Sequence, residues 1–244
     1  MTDLPPEYLE VVGGTLRNHG VRIAPGLTES ELSAAEAAHG FRFPPDLRSL
    51  LAHALPEAEQ FPDWRHPDSA FIADRLAWPA DSMCFDVEHD GFWLPAWGPR
   101  PETLEAAWTR AREAVRAAPF LIPLHAHRYL PAVPCIAGNP VFSVYQTDII
   151  YYGFDLPSYL AAEFGVPNPL PAPEEPREIE FWSELEQLNG PVPATDHRSP
   201  HGRRDLRHPR PAPAGGGGGA PRLRPDRPRR RCRQSRDPSR AFAL

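Results

Sequence analysis

Residues 138–153, GNPVFSVYQTDIIYYG, place two apolar, aromatic-rich runs on either side of Gln146, Thr147 and Asp148. Val141, Phe142, Val144 and Tyr145 read as one strand and Ile149 to Tyr152 as the next, because β-branched and aromatic side chains suit a pleated, half-buried surface. The polar residues between them then form a tight connection in an antiparallel pair, not a reactive site. Asp148 is expected to accept backbone N–H groups within that turn.

Helices surround this pair in the sequence. Glu7 to Asn18 has helical character. In LTESELSAAEAAHGFRF, Thr28 is an N-cap with Glu31 three residues on, Leu32, Ala35 and Ala38 follow at helical spacing, and Gly40 supplies the stop. FPPDLRSLLAHAL puts Pro44 and Pro45 at a helix start, where a missing N–H costs nothing, and aligns Leu47, Leu50, Leu51 and Ala54. DWRHPDSAFIADRLAWP predicts a loop and a third short helix ended by Pro79. Glu102 to Ala117 is amphipathic and stops before Pro119. FLIPLHAHRYLP returns to strand, and LPSYLAAEFG closes the folded core as a helix with Gly165 as its stop.

One further stretch, MCFDVEHDGFWL, alternates apolar and polar residues at Phe85, Asp86, Val87 and Glu88, and follows them with Asp90-Gly91. That pattern predicts a half-buried β-hairpin. Asp86, Glu88 and Asp90 then form an acidic hairpin beside the apolar loop FWLPAWGPRP, whose Trp93 and Trp97 either roof the core or present a hot-spot surface.

Charge divides the chain near Gly190. Residues 1–190 hold 12 Arg against 28 Asp plus Glu, a balance of −16, while residues 191–244 hold 14 Arg against 4 Asp, a balance of +10; together they give the net −6. The acidic body lacks the clustered cations that nucleic-acid phosphates require, so a basic protein partner suits it better. The basic end contains 10 Pro and a run of five Gly from Gly215 to Gly219, and is expected to be disordered because it cannot bury enough apolar surface to offset chain entropy. It reads either as an interaction tail or as a reading frame continued past its ancestral end, and the abrupt compositional break favours the second. The start MTDLPPEYLE has no signal-peptide pattern and no window is long and apolar enough to span a membrane, so a cytoplasmic location is expected. Cys84, Cys135 and Cys232 are odd in number and widely spaced, which supports neither a disulfide framework nor a cysteine zinc site.

Candidate chemistry is sparse. On a strand, Cys84, Asp86 and Glu88 would share a face, and His125 and His127 could add nitrogen ligands, but no HExxH, CxxC or closely spaced acidic loop accompanies them. Ser143 with His125 or His127 and Asp148 is the one nucleophilic trio that can be assembled, and it lacks GxSxG and any oxyanion-loop signature. Asp86 and Glu88 as an acid/base pair have no substrate-binding motif beside them. No catalytic residue, metal or cofactor is therefore expected.

The order helix, helix, FPPDLRSLL, hairpin, helix, strands and terminal helix DLPSYLAAEFG resembles the SUKH superfamily, of the Smi/Knr type. The resemblance covers roughly Leu27 to Gly165. It rests on LTESELSAAEAAHGFRFPPDLRSLL, with its acidic helix, hydrophobic-Pro-Pro turn and short apolar helix, and on NPVFSVYQTDIIYYG. Where family members carry an Asn-Gly-rich turn after the Pro-Pro helix, this chain reads HALPEAEQFPDWR, which resembles a divergent bacterial subgroup. The resemblance implies an α+β fold with helices packed around a mostly antiparallel sheet, and binding in place of catalysis. Many bacterial members resemble immunity proteins that neutralise toxins, often nucleases; others act as scaffold or regulatory hubs. The expected organisation is a helical segment over 1–26, the SUKH-like domain over 27–165, a Pro-rich docking segment over 166–190 and a disordered basic tail over 191–244. The expected partner is a protein, in the first place a basic toxin domain, met through Asp86, Glu88, Asp90, Trp93 and Trp97, with no nucleic acid and no membrane. The alternatives are a hub role and, behind it, a metal-dependent hydrolase.

Overall fold

In the computed structural model, residues 3–189 are described, and the basic segment 191–244 with Cys232 lies outside them. The elements in chain order are α1 (Pro6–Asn18), β1 (Arg22–Pro25), α2 (Glu29–His39), α3 (Pro45–His53), β2 (Ala54–Glu57), α4 (Ala70–His89), α5 (Leu104–Ala117), β3 (Leu121–His125), β4 (Arg128–Pro131), β5 (Val141–Tyr145), β6 (Asp148–Gly153), α6 (Leu156–Phe164) and α7 (Trp182–Leu188). Local chemistry accounts for many of the boundaries. Thr28 and Glu31 form a reciprocal capping box at the start of α2, and Gly40 ends that helix in the left-handed conformation at φ 70°. Proline stands in the first turn of α1, α3 and α6, where its absent N–H has no intrahelical partner to lose.

The fold is α+β, with helices packed around antiparallel sheet. β3 to β6 form one antiparallel sheet in sequential order, and β1 with β2 form a separate two-stranded ribbon that the sequence reading did not contain. The larger sheet is covered on both faces. Ile122, Leu130 and Val141 point into a core shared with Val12 and Leu16 of α1, Leu47 and Leu51 of α3, and Leu156, Tyr159 and Leu160 of α6. Leu121, Tyr129, Phe142, Val144 and Ile149 point the other way, onto Met83 and Val87 of α4, Ala107 and Ala111 of α5, and Trp182 and Leu185 of α7. This double burial explains why VFSV carries no clean polar alternation. α6 lies directly on β6 at Gly153, where a Cβ would come within 2.6 Å of the Tyr159 backbone nitrogen.

Two sequence expectations fail together at α4. The short helix does not end at Pro79, and the hairpin expected over Met83–Leu94 is absent: a single 20-residue helix runs from Ala70 to His89 through Pro79. Proline removes the hydrogen bond that its N–H would make to the carbonyl four residues back, that of Arg75. Here the Tyr129 hydroxyl, from β4, donates to that carbonyl at 2.8 Å. Tyr129 is fully buried, and burial raises the pKa of its phenol, which keeps the donor proton in place. Past the proline, Met83 and Val87 continue the buried stripe begun by Ile72, and these spacings are helical. Asp90-Gly91, the expected hairpin turn, is a helix stop: Gly91 has φ 70°, and the N–H groups of Asp90 and Phe92 both donate to the Asp86 carbonyl.

Tyr129→Phe is expected to lower stability by about 1–2 kcal/mol, because a buried carbonyl loses its donor. In a Pro79→Ala background, where residue 79 regains an N–H, the same change should cost less. Urea unfolding of the four proteins in this double-mutant cycle measures the coupling, and equal losses in both backgrounds would contradict the account.

Candidate functional site

Gln146 and Thr147 form a two-residue turn between Tyr145 and Asp148, which are paired in register. Gln146 has φ 59°, the left-handed value typical of the primed turns that match strand twist. The turn is held from two sides. Asp86 of α4 accepts from the Thr147 backbone N–H at 2.9 Å and from its hydroxyl at 2.5 Å through Oδ2. From the end of α7, the Asn189 side-chain amide donates to the carbonyls of Thr147, at 3.2 Å, and Ile149, at 2.9 Å. The expectation that Asp148 satisfies the turn is therefore corrected. Among the described residues its exposed side chain makes no hydrogen bond, and the carboxylate of Asp86, 61 positions upstream of Thr147, does that work.

The five residues expected to form one partner surface take different roles. Asp86 faces inward and is 4% exposed, so it cannot steer a partner by direct contact. Glu88 and Asp90 are exposed at the end of α4. Trp97 is buried in the second core and Trp93 is half-buried; their rings meet edge to face at 5.1 Å, and Trp93 Nε1 donates to the Gly98 carbonyl at 2.8 Å. Of the two readings of this loop, the geometry favours the roof over the core. The physical reason is the helix: successive residues step around its axis, so Asp86 turns to the sheet while Phe85 and Glu88 turn to solvent. The proposed strand face of Cys84, Asp86 and Glu88 is lost for the same reason. Cys84 and Cys135 are free thiols, and among the described residues no group of three or more His, Cys, Asp or Glu side chains is placed to hold a metal ion.

A group of ionisable side chains gathers around the turn between β3 and β4, Ala126-His127. Arg128 places Nε 3.3 Å from Glu163 of α6, donates to Ser143 Oγ at 3.0 Å, and stacks its guanidinium 3.8 Å from the centre of the Tyr152 ring. His125 Nδ1 stands 3.9 Å from the same Glu163 and its ring lies 4.4 Å from that of Phe61. Burial pushes His125 below the ordinary imidazole range, with Glu163 opposing and Arg128 adding to the shift. His127 is held down to about 4 by burial first, then by the charges of Arg128, His125 and Arg75. Both rings are thus neutral near pH 7. Ser143 accepts a hydrogen bond from a cation, and among the described residues none joins it to His125, His127 or Asp148. The nucleophilic trio is not assembled. What the group does is join α6 to the sheet through partly buried charge.

No protein-family model, curated protein or solved structure matches this chain. Its class is therefore stated from its own geometry, an α+β domain with helices on both faces of a four-stranded antiparallel sheet. Sequence reasoning missed the exposed apolar side chains Phe85, Tyr145 and Leu188, which flank the turn residues and their anchors. The helical spacing of Met83 and Val87 was the available signal for the first of them.

Asp86→Ala should lower stability by about 2–3 kcal/mol, since a charged acceptor is lost and the Thr147 N–H is left without its partner, while Asp148→Ala should stay within about 0.5 kcal/mol. Urea unfolding of both variants checks the order, and the reverse order would refute the clamp. For His127, the folded pKa lies below that of the unfolded chain, so the unfolded state binds the proton first on acidification. Its influence is absent above about pH 6.5 and grows as pH falls toward about 4. His127→Gln should therefore show a smaller drop in melting temperature between about pH 7 and pH 4 than the parent, as followed by circular dichroism.

Proposed function

We propose that this chain is a non-enzymatic, SUKH-like protein-binding domain whose partner is a basic protein, in the first place a toxin domain that it neutralises. The observation that carries the reading is charge left over after folding. Residues 1–190 hold 12 Arg against 28 Asp plus Glu, and the structure already engages most of those arginines. Arg22, Arg48, Arg65, Arg110, Arg112 and Arg128 stand in ion pairs, and Arg100 and Arg177 donate to backbone carbonyls. Glu88, Asp90, Asp148 and Glu184 are exposed and, among the described residues, in no ion pair. A surface with such an excess of free carboxylate attracts a cationic partner over distances comparable to the Debye length and repels nucleic acid. The phosphate-binding cleft of a nuclease is a cationic surface of that kind.

Co-expression with a toxin domain encoded by a neighbouring reading frame provides the test. Growth protection together with a co-purifying complex is expected. A complex without protection would move the role to that of a scaffold or regulatory hub, and neither complex nor protection would remove the immunity reading.

A further inference from the structure

Three exposed apolar side chains stand beside the residues that make and hold the β5–β6 turn. Phe85 is 46% exposed, Tyr145 49% and Leu188 64%. Phe85 directly precedes Asp86, and Leu188 directly precedes Asn189, the two residues whose side chains bond Thr147 or its carbonyl. Tyr145 is the last residue of β5 before the turn. Its ring centre lies 6.3 Å from that of Trp78, whose indole N–H donates to the Val144 carbonyl, and 6.0 Å from that of His127. Trp78, Ser82, Phe85 and His89 follow one another along α4 at spacings of four, three and four, which places them on one stripe of the helix. Phe85 stacks on His89 with ring centres 4.0 Å apart and planes 16° from parallel.

The surroundings select what covers them. Exposed carboxylates stand at Glu88 and Asp90, past Phe85 on the chain; at Asp148, opposite Tyr145 in register; and at Glu184, one helical turn before Leu188. Asp86 adds a buried carboxylate whose second oxygen, Oδ1, has no hydrogen-bond partner. The neighbouring cations are turned to other groups. Arg75 lies over Phe71 and Trp78, and Arg100 donates to the Val87 carbonyl and lies over Trp93.

We propose that this face, with Phe85, Tyr145 and Leu188 at its centre and Glu88, Asp90, Asp148 and Glu184 at its rim, docks an arginine-rich surface of a partner protein. Guanidinium groups stack on the Tyr145 and Phe85 rings while pairing with the rim carboxylates, a combination that neither a phosphate-bearing ligand nor an acidic protein satisfies. Because the turn is clamped by Asp86 and Asn189 before any partner arrives, little backbone order has to be gained on binding. The inference rests on the reading of the chain as a binder of basic protein, and adds where that partner sits.

Fluorescence anisotropy with a labelled synthetic peptide of alternating arginine and tryptophan tests both layers on the full chain. At about 50 mM salt the parent is expected to bind. Tyr145→Ala and Glu88→Arg should each weaken binding about tenfold or more, while Glu7→Arg on α1 and Asp68→Arg, about 30 Å away beyond the other end of α4, should change it by about twofold or less. Circular dichroism melts confirm that the variants fold. Equal losses in all four variants overturn this placement and leave the basic-partner reading standing. No binding by the parent overturns both.

Discussion

The hydrogen bond from the Tyr129 hydroxyl to the Arg75 carbonyl decides more of this structure than its single donor suggests. Without it, Pro79 leaves a carbonyl unpaired in the interior and the helix has reason to end there. With it, α4 runs two turns and more beyond the proline, far enough for Asp86 to reach the β5–β6 turn. A strand residue thus repairs a helix, and the repaired helix in turn pins the edge of the same sheet. Removing either contact leaves a polar group that the protein interior does not otherwise satisfy, which is why a side chain can matter more through the partner it leaves behind than through its own bond.

The same logic recurs at the opposite end of the sheet. The segment between β4 and β5 is bound by buried polar side chains: Asp46 of α3 accepts from the Gly138 N–H at 2.9 Å, and Asn139 donates to the carbonyls of Pro131, at 2.9 Å, and Pro134, at 2.8 Å. Arg177, from the chain leading to α7, donates to Asn139 Oδ1 at 2.5 Å. Burial raises the Asp46 carboxyl above the ordinary range, while its backbone donors pull the other way. These inward contacts define single geometries for irregular chain. Exposed pairs such as Arg112–Asp81 at 3.1 Å are screened by solvent and contribute much less.

Free carboxylate and exposed apolar surface therefore come together as a consequence of folding. The clamp draws Asp86 inward, and the α-helical step then sends Phe85 and Glu88 outward from the same turn of helix. On a strand the alternation would have put Asp86 and Glu88 on one side and Phe85 on the other. An acidic hairpin and an acidic, aromatic helix end have nearly the same composition, but they offer a partner different sets of side chains.

Legibility in the sequence follows the range of the interaction responsible. Thr28 with Glu31, the prolines that open α3, Gly40, Gly165 and the paired runs of 138–153 act through neighbours a few residues away, so their elements are readable in one dimension. The α+β class follows from them. The course of residues 70–91 is not readable in this way, since the donor to the Arg75 carbonyl that Pro79 leaves unpaired lies 54 positions downstream of Arg75 and the acceptor that Thr147 needs lies 61 positions upstream. Locally, FDVEHDG satisfies a strand and turn as well as it satisfies a helix and its stop. Short-range contacts thus fix most of the helices and strands, and composition fixes the acid excess; which of those acids face solvent depends on hydrogen bonds between residues far apart in the chain.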